Sequence, residues 1–217
     1  YILLGSSALA FCVTLFLMFS IKTHVEIEES KNKSLFNWRF DNTVYRFVFV
    51  RGLFVHSALV APYFMLESSQ SAKSLLPFYL AAQALASMLS SFLWGKIADK
   101  SARFTLQLSG ALAIIACVGL LAMEPENLWM SAGLFFILSI AHAGVRTGRK
   151  TYSLDIKDGQ DRTELVGFSN TAIGLILLGF GGLYAILSSF IDFSVVYIMV
   201  AMLTMAICTT LMLPREK

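Results

Sequence analysis

Charge is scarce in this sequence. Of 217 residues only 14% are charged and 57% are hydrophobic, whereas a water-soluble domain carries roughly a quarter charged residues. So little polar material cannot cover a water-facing surface, which excludes a soluble globular domain. Carboxylates are missing from the apolar runs altogether, because all fourteen acids fall in connecting segments or at run edges. Cysteine is sparse too. Cys12, Cys117 and Cys208 each sit inside an apolar run without metal-ligand spacing, so no metal, no cofactor and no disulfide framework is expected. The net charge of +3 is mild and gives no reason to expect a nucleic-acid partner. No His-rich cluster and no nucleophile-and-base pattern occurs in the runs, so the chain is not expected to be an enzyme. The opening run lacks the charged start and short apolar core of a signal peptide. It reads instead as a membrane helix within a longer protein.

What the sequence does have is apolar length. Seven stretches approach or exceed the roughly 20 residues that a bilayer crossing needs: 1–21, 47–66, 75–94, 104–123, 128–145, 165–190 and 193–213. Lipid cannot satisfy open backbone groups and none of these runs alternates like a barrel strand, so an all-α membrane protein with seven transmembrane helices is expected. Between the first two runs lies the largest polar segment, 22–46. Its early part is charged; its later part mixes Leu35, Phe36, Trp38, Phe40 and Tyr45 with Arg39 and Arg46, a composition that suits a short interfacial helix. The expected divisions are therefore a first membrane helix (1–21), a linker (22–46) and a six-helix bundle (47–217).

Basic residues orient the chain. With the first helix running outside to inside, sixteen of the seventeen Lys and Arg residues fall toward the cytoplasm and Lys73 alone falls outside. This positive-inside bias predicts an outer amino end and a cytoplasmic carboxyl end.

One cytoplasmic connection stands out, "GKIADKSAR" (95–103) between the third and fourth runs. Gly95 removes a side chain where helix ends approach. Asp99 is suited to accept from a helix amino terminus, and Lys100 and Arg103 are suited to pair with carboxylates. Gly95, Asp99, Lys100 and Arg103 resemble the cytoplasmic signature of the major facilitator superfamily. That signature runs Gly, three variable residues, Asp, a basic residue, one variable residue, Gly and two basic residues. Ala102 stands at the second glycine and Phe104 at the last basic position. In that family two six-helix halves are joined by a long cytoplasmic loop, and the motif follows the second helix of each half. The chain resembles helices six to twelve: the last helix of the amino half, the linker and the carboxyl half. The resemblance implies a secondary transporter of a small solute that works by rocker-switch alternating access. It also implies an amino-terminal half absent from these 217 residues, without which no transport is expected, and a multi-pass location in a bacterial inner membrane. Gly95, Asp99, Lys100 and Arg103 would then form a gating latch. The alternative is a seven-helix receptor or sensor of the same topology; a retinal protein is excluded because the last run has no lysine.

Polar residues recur along single faces: Tyr79, Gln83, Ser87 and Ser90; Ser131, Ser139, His142, Arg146 and Arg149; Asn170, Gly174, Gly181 and Ser188. Such stripes line a solute cavity or join helices without touching solute. Cavity candidates are His56, Gln83, His142, Asn170 and Arg51. Arg51 and His56, five residues apart, lie about 140° apart around a helix and cannot share a face. Arg51 suits snorkelling to lipid phosphates, or an anionic solute if it faces the cavity. With no carboxylate in the runs, a proton-coupling group is expected in the other half or at a histidine. Pro62 should kink the second helix. The glycines Gly174, Gly179, Gly181 and Gly182 should let the sixth helix press against a neighbour.

Overall fold

The structure, a computed structural model, describes residues 12–17, 40–67, 72–123, 127–157, 159–190 and 193–214. The chain divides into two compact units, Tyr1–Asn37 and Trp38–Lys217. In the first, residues 12–17 form a helical segment, α1, with exposed side chains. The remainder of the expected first membrane helix, and the linker up to residue 39, lie outside the described residues.

The described part of the second unit is helical: α2 (Asn42–Leu53), α3 (His56–Leu59), α4 (Ala61–Leu66), α5 (Ala72–Ala98), α6 (Ala102–Met123), α7 (Leu128–Ile156), α8 (Gly159–Phe190), α9 (Val196–Thr209) and a closing 3₁₀ turn, Thr210–Met212. Five spans are long and apolar enough to cross a bilayer, namely Asn42–Leu66, Ser74–Ala98, Ala102–Met123, Leu128–Ile156 and Asp161–Phe190. A shorter apolar helix, Val196–Met212, follows. The chain is an all-α membrane protein. Tyr45 and Arg46 belong to α2 itself, so this end of the expected interfacial helix is already part of the first span.

Local chemistry sets the helix ends. Ser101 Oγ accepts from Phe104 N at 3.1 Å and caps α6. Asn127 Oδ1 accepts from Met130 N at 2.7 Å and caps α7. After the 3₁₀ turn Leu213 is extended, as the residue before Pro214 must tend to be. Beside the bundle, Lys157 Nζ donates to Asp41 Oδ2 at 2.7 Å, and this bond holds the lysine above its ordinary pKa.

The first span is broken twice. Ser57 N bonds to Phe54 O at 3.2 Å instead of reaching back a full α-turn to Leu53. The freed Leu53 carbonyl is taken by His56 Nδ1 at 2.7 Å. A second interruption falls at Val60, two residues before Pro62, whose missing N–H lies in the first turn of α4. The kink expected at Pro62 is thus the second of two breaks.

Two apolar cores stack along the helices. One gathers Val60, Phe64, Tyr79, Ala113, Leu138 and Met199; the other gathers Phe47, Phe54, Leu106, Val145, Tyr152 and Ala206. The first span passes between them from Phe54 to Val60, and α7 from Ala141 to Val145. The residues at that crossing are polar, Ser57 on α3 and His142 on α7. α7 packs against α5 and α6, α6 also against α9, and α2 against α8 and α9. The apolar windows of α5 and α8 are only 22% and 11% buried, against 61% for Asn42–Leu66, so these two helices leave the widest faces uncovered.

Candidate functional site

Two adjoining clefts open at the polar level between the cores. The larger, about 220 Å³, is walled by Ser57 and Ala61 of the first span, Gln83 and Ser87 of α5, and His142 and Arg146 of α7. The smaller, about 40 Å³, is walled by Arg51 of α2, Leu106 of α6, Arg149 of α7 and Ile173 of α8. Both are also lined by Ser57, Ala58 and His142, so they meet around the imidazole. Neither lining includes an Asp or Glu.

At the meeting point Ser57 Oγ donates to Phe54 O at 2.9 Å and lies 3.2 Å from His142 Nδ1. A hydroxyl has one proton. With it given to the carbonyl, the oxygen must accept from the ring, which assigns the proton of His142 to Nδ1 and leaves Nε2 as an acceptor when the ring is neutral. Arg51 reaches across to α8: Nη1 donates to Ser169 Oγ, and Nη2 to Asn170 Oδ1 at 2.6 Å. The guanidinium is turned into the bundle by neutral partners, not outward toward lipid phosphates as snorkelling requires.

Of the sequence candidates, Gln83 and His142 stand on the wall of the larger cleft and Arg51 on that of the smaller. Asn170 holds Arg51. His56 lies outside both linings and is fully buried, edge-on to Phe180 and Tyr184 at ring distances of 4.8 and 5.7 Å. Its ring Nδ1 closes the gap in the α2 backbone, and that role keeps it off the cavity wall. The α5 stripe divides. Gln83 and Ser87 face the cleft, whereas Tyr79 is buried against Phe135 with its hydroxyl donating to Phe64 O at 3.0 Å.

The turn carrying the motif is tight: Asp99 N reaches Gly95 O at 2.9 Å and Ser101 N reaches Ile97 O at 3.0 Å. Asp99 and Lys100 are exposed, and Arg103 Nη1 donates to Leu213 O at 3.3 Å. The cap on α6 is Ser101, not Asp99. A Cβ built on Gly95 would meet nothing within 4 Å, so the close approach expected there is not made within this bundle. It is made at Gly144 instead, where a Cβ would fall 2.6 Å from Trp94 and 2.7 Å from Ser109. Gly148 leaves similar room opposite Ala102, its Cβ position being 3.1 Å from the Ala102 carbonyl. Of the four α8 glycines expected to press against a neighbour, Gly174, Gly179 and Gly182 likewise meet nothing, and a Cβ on Gly181 would lie 3.8 Å from Leu59, an ordinary contact.

Sequence reasoning passed over Ser57 and Ser169. Ser169 sits directly before Asn170, a signal that was available. Ser57 was hidden because only the break in the first span brings it to His142.

The family model of the Major Facilitator Superfamily matches residues 43–217. The chain belongs to the major facilitator superfamily. It is therefore a membrane transporter sequence, and the five spans and the shorter apolar helix described above fall inside the match, apart from Asn42 at its edge. Neither a comparison with curated proteins nor one with solved structures gave a match.

Proposed function

We propose that residues 38–217 form one half of a secondary transporter that carries a small solute by alternating access. The other half would come from an amino-terminal bundle of the same protein. The observation that carries this reading is the polar trough around His142, set between two apolar cores and flanked by the least covered helices, α5 and α8. In an isolated bundle such a trough would need no polar wall. As half of a solute path it needs one, and the bare faces of α5 and α8 are where a second half would close it. The basic bias of the connections supports a cytoplasmic carboxyl end, and the proposed location is a bacterial inner membrane. Gly95, Asp99, Lys100 and Arg103 then sit in a cytoplasmic turn that latches against the other half.

The test is flux. Proteoliposomes holding the full-length protein should take up one member of a panel of sugars, amino acids, organic acids and organic cations, while residues 1–217 alone should take up none. Asp99→Asn should insert normally and lower the rate. Absence of flux for every class at normal reconstitution would overturn the reading.

A further inference from the structure

The trough has one unusual property, the sign of its charge. Arg51 and Arg149 line the smaller cleft, Arg146 the larger, and His142 lies in both. Arg146 and Arg149 are three residues apart on α7 and so share a helix face, and Arg149 and Arg51 stand on the walls of the same cleft. The partners described for Arg51 are the neutral side chains Ser169 and Asn170. Its Nε is buried without a hydrogen-bond partner. Among the described residues no carboxylate stands on either wall.

Arg51 stands in the last turn of α2, at the break in the first span, and Arg146 and Arg149 stand within α7. Arg146 precedes the end of α7 at Ile156 by about 15 Å of helix, and Arg51 follows the start of α2 at Asn42 by about 13 Å, at 1.5 Å per residue. Cations gathered around one cleft with no acid among its described lining residues repel one another, and the usual remedies are a paired acid or a functional anion. No such acid is among the described residues of these walls. Guanidinium forks match carboxylate and phosphate geometry bidentately, which ammonium groups do not. Ser57, Ser87 and Gln83 add neutral hydrogen-bonding groups on the same walls.

We propose that the trough binds a small anion carrying a carboxylate or phosphate group, with Arg146 and Arg149 on α7 as its principal contacts and Arg51, anchored by Ser169 and Asn170, completing the positive wall. This deepens the transport reading and rests on it for the word substrate, but binding can be measured separately.

The experiment uses the full-length protein in phosphatidylcholine nanodiscs, with thermal unfolding and titration read against succinate, inorganic phosphate, glucose and choline. Succinate or phosphate should raise the unfolding midpoint by several degrees, and glucose and choline should leave it unmoved. Arg146→Gln and Arg149→Gln should each weaken anion binding at least about tenfold, the loss of one charge-assisted pair, with Arg146→Lys losing less. Arg146 is exposed in this bundle, so its substitution should leave the fold intact. Equal stabilisation by glucose, or anion binding indifferent to both substitutions, would overturn the proposal. So would a protein blind to soluble anions but stabilised by added phosphatidylglycerol, since the ligand would then be a lipid headgroup. Neutral-solute flux without anion binding sinks this inference and spares the transport reading; anion binding without flux of any solute does the reverse.

Discussion

At Gly144 the absence of a side chain decides the packing. Trp94 crosses from α5 to donate its indole N–H to Ile140 O at 2.9 Å, and its ring lies where a Gly144 side chain would go. Gly144→Leu should therefore overpack the α5–α7 contact and cost about 1–3 kcal/mol, read as a lower unfolding midpoint in detergent. Gly95, inside α5, is the opposite case. Because a Cβ there meets nothing, Gly95→Ala should be neutral or stabilising by up to about 1 kcal/mol, the helix-propensity gain. A transport defect in Gly95→Ala at unchanged midpoint would show that Gly95 is reserved for a surface outside this bundle. A midpoint drop as large as that of Gly144→Leu would refute the assignment of close packing to Gly144. Both glycines are legible in the sequence as small residues in membrane helices. Which of them is under pressure depends on where Trp94 lands, and no spacing rule supplies that.

At the scale of elements, the first span is the informative one. An uninterrupted helix from Asn42 to Leu66 would leave Leu53 O bonded within the backbone and place His56 by simple periodicity. The two breaks remove that periodicity, so His56 turns into the core and Ser57 reaches the cleft. Pro62 contributes to the second break by withholding a donor. Pro62→Ala should restore backbone bonding there and stiffen α3–α4. The expected result is a protein at least as stable as the parent, with uptake slowed several-fold when normalised to protein in the membrane. Unchanged uptake with a restored helix would show that the break is not used in motion. Proline made a kink foreseeable. The earlier break, which has no proline or glycine at its turn residues Phe54 and Val55, was not.

At the scale of the whole molecule, coverage is uneven. α7 is embraced by α5 and α6, while α8 shows its residues Leu175 and Leu178 at 70% and 79% exposure. A lone bundle in lipid can present such a face, but the polar trough beside it argues for a protein partner. Gly174→Leu probes the difference, because its Cβ meets nothing within 4 Å here. The variant should fold and insert like the parent, and should lose transport in the full-length protein if the added side chain occupies the proposed join between halves. Full transport with Gly174→Leu would place that face against lipid.

The sequence by itself determined the class, five of the seven expected spans, the basic bias and the family motif, because hydropathy over twenty-residue lengths and backbone satisfaction in lipid are local requirements that each segment meets alone. It also grouped Gln83 with Ser87 and His142 with Arg146, which share a cleft wall in the structure, since side chains three and four apart share a face whatever the neighbours do. Tertiary structure decided what those residues do. It turned Arg51 toward Ser169 and Asn170, withdrew His56 into the core, and joined His142 to Ser57. Each of these outcomes depends on which helix lies opposite and where a backbone bond is broken, and neither is encoded in the periodicity of a single helix.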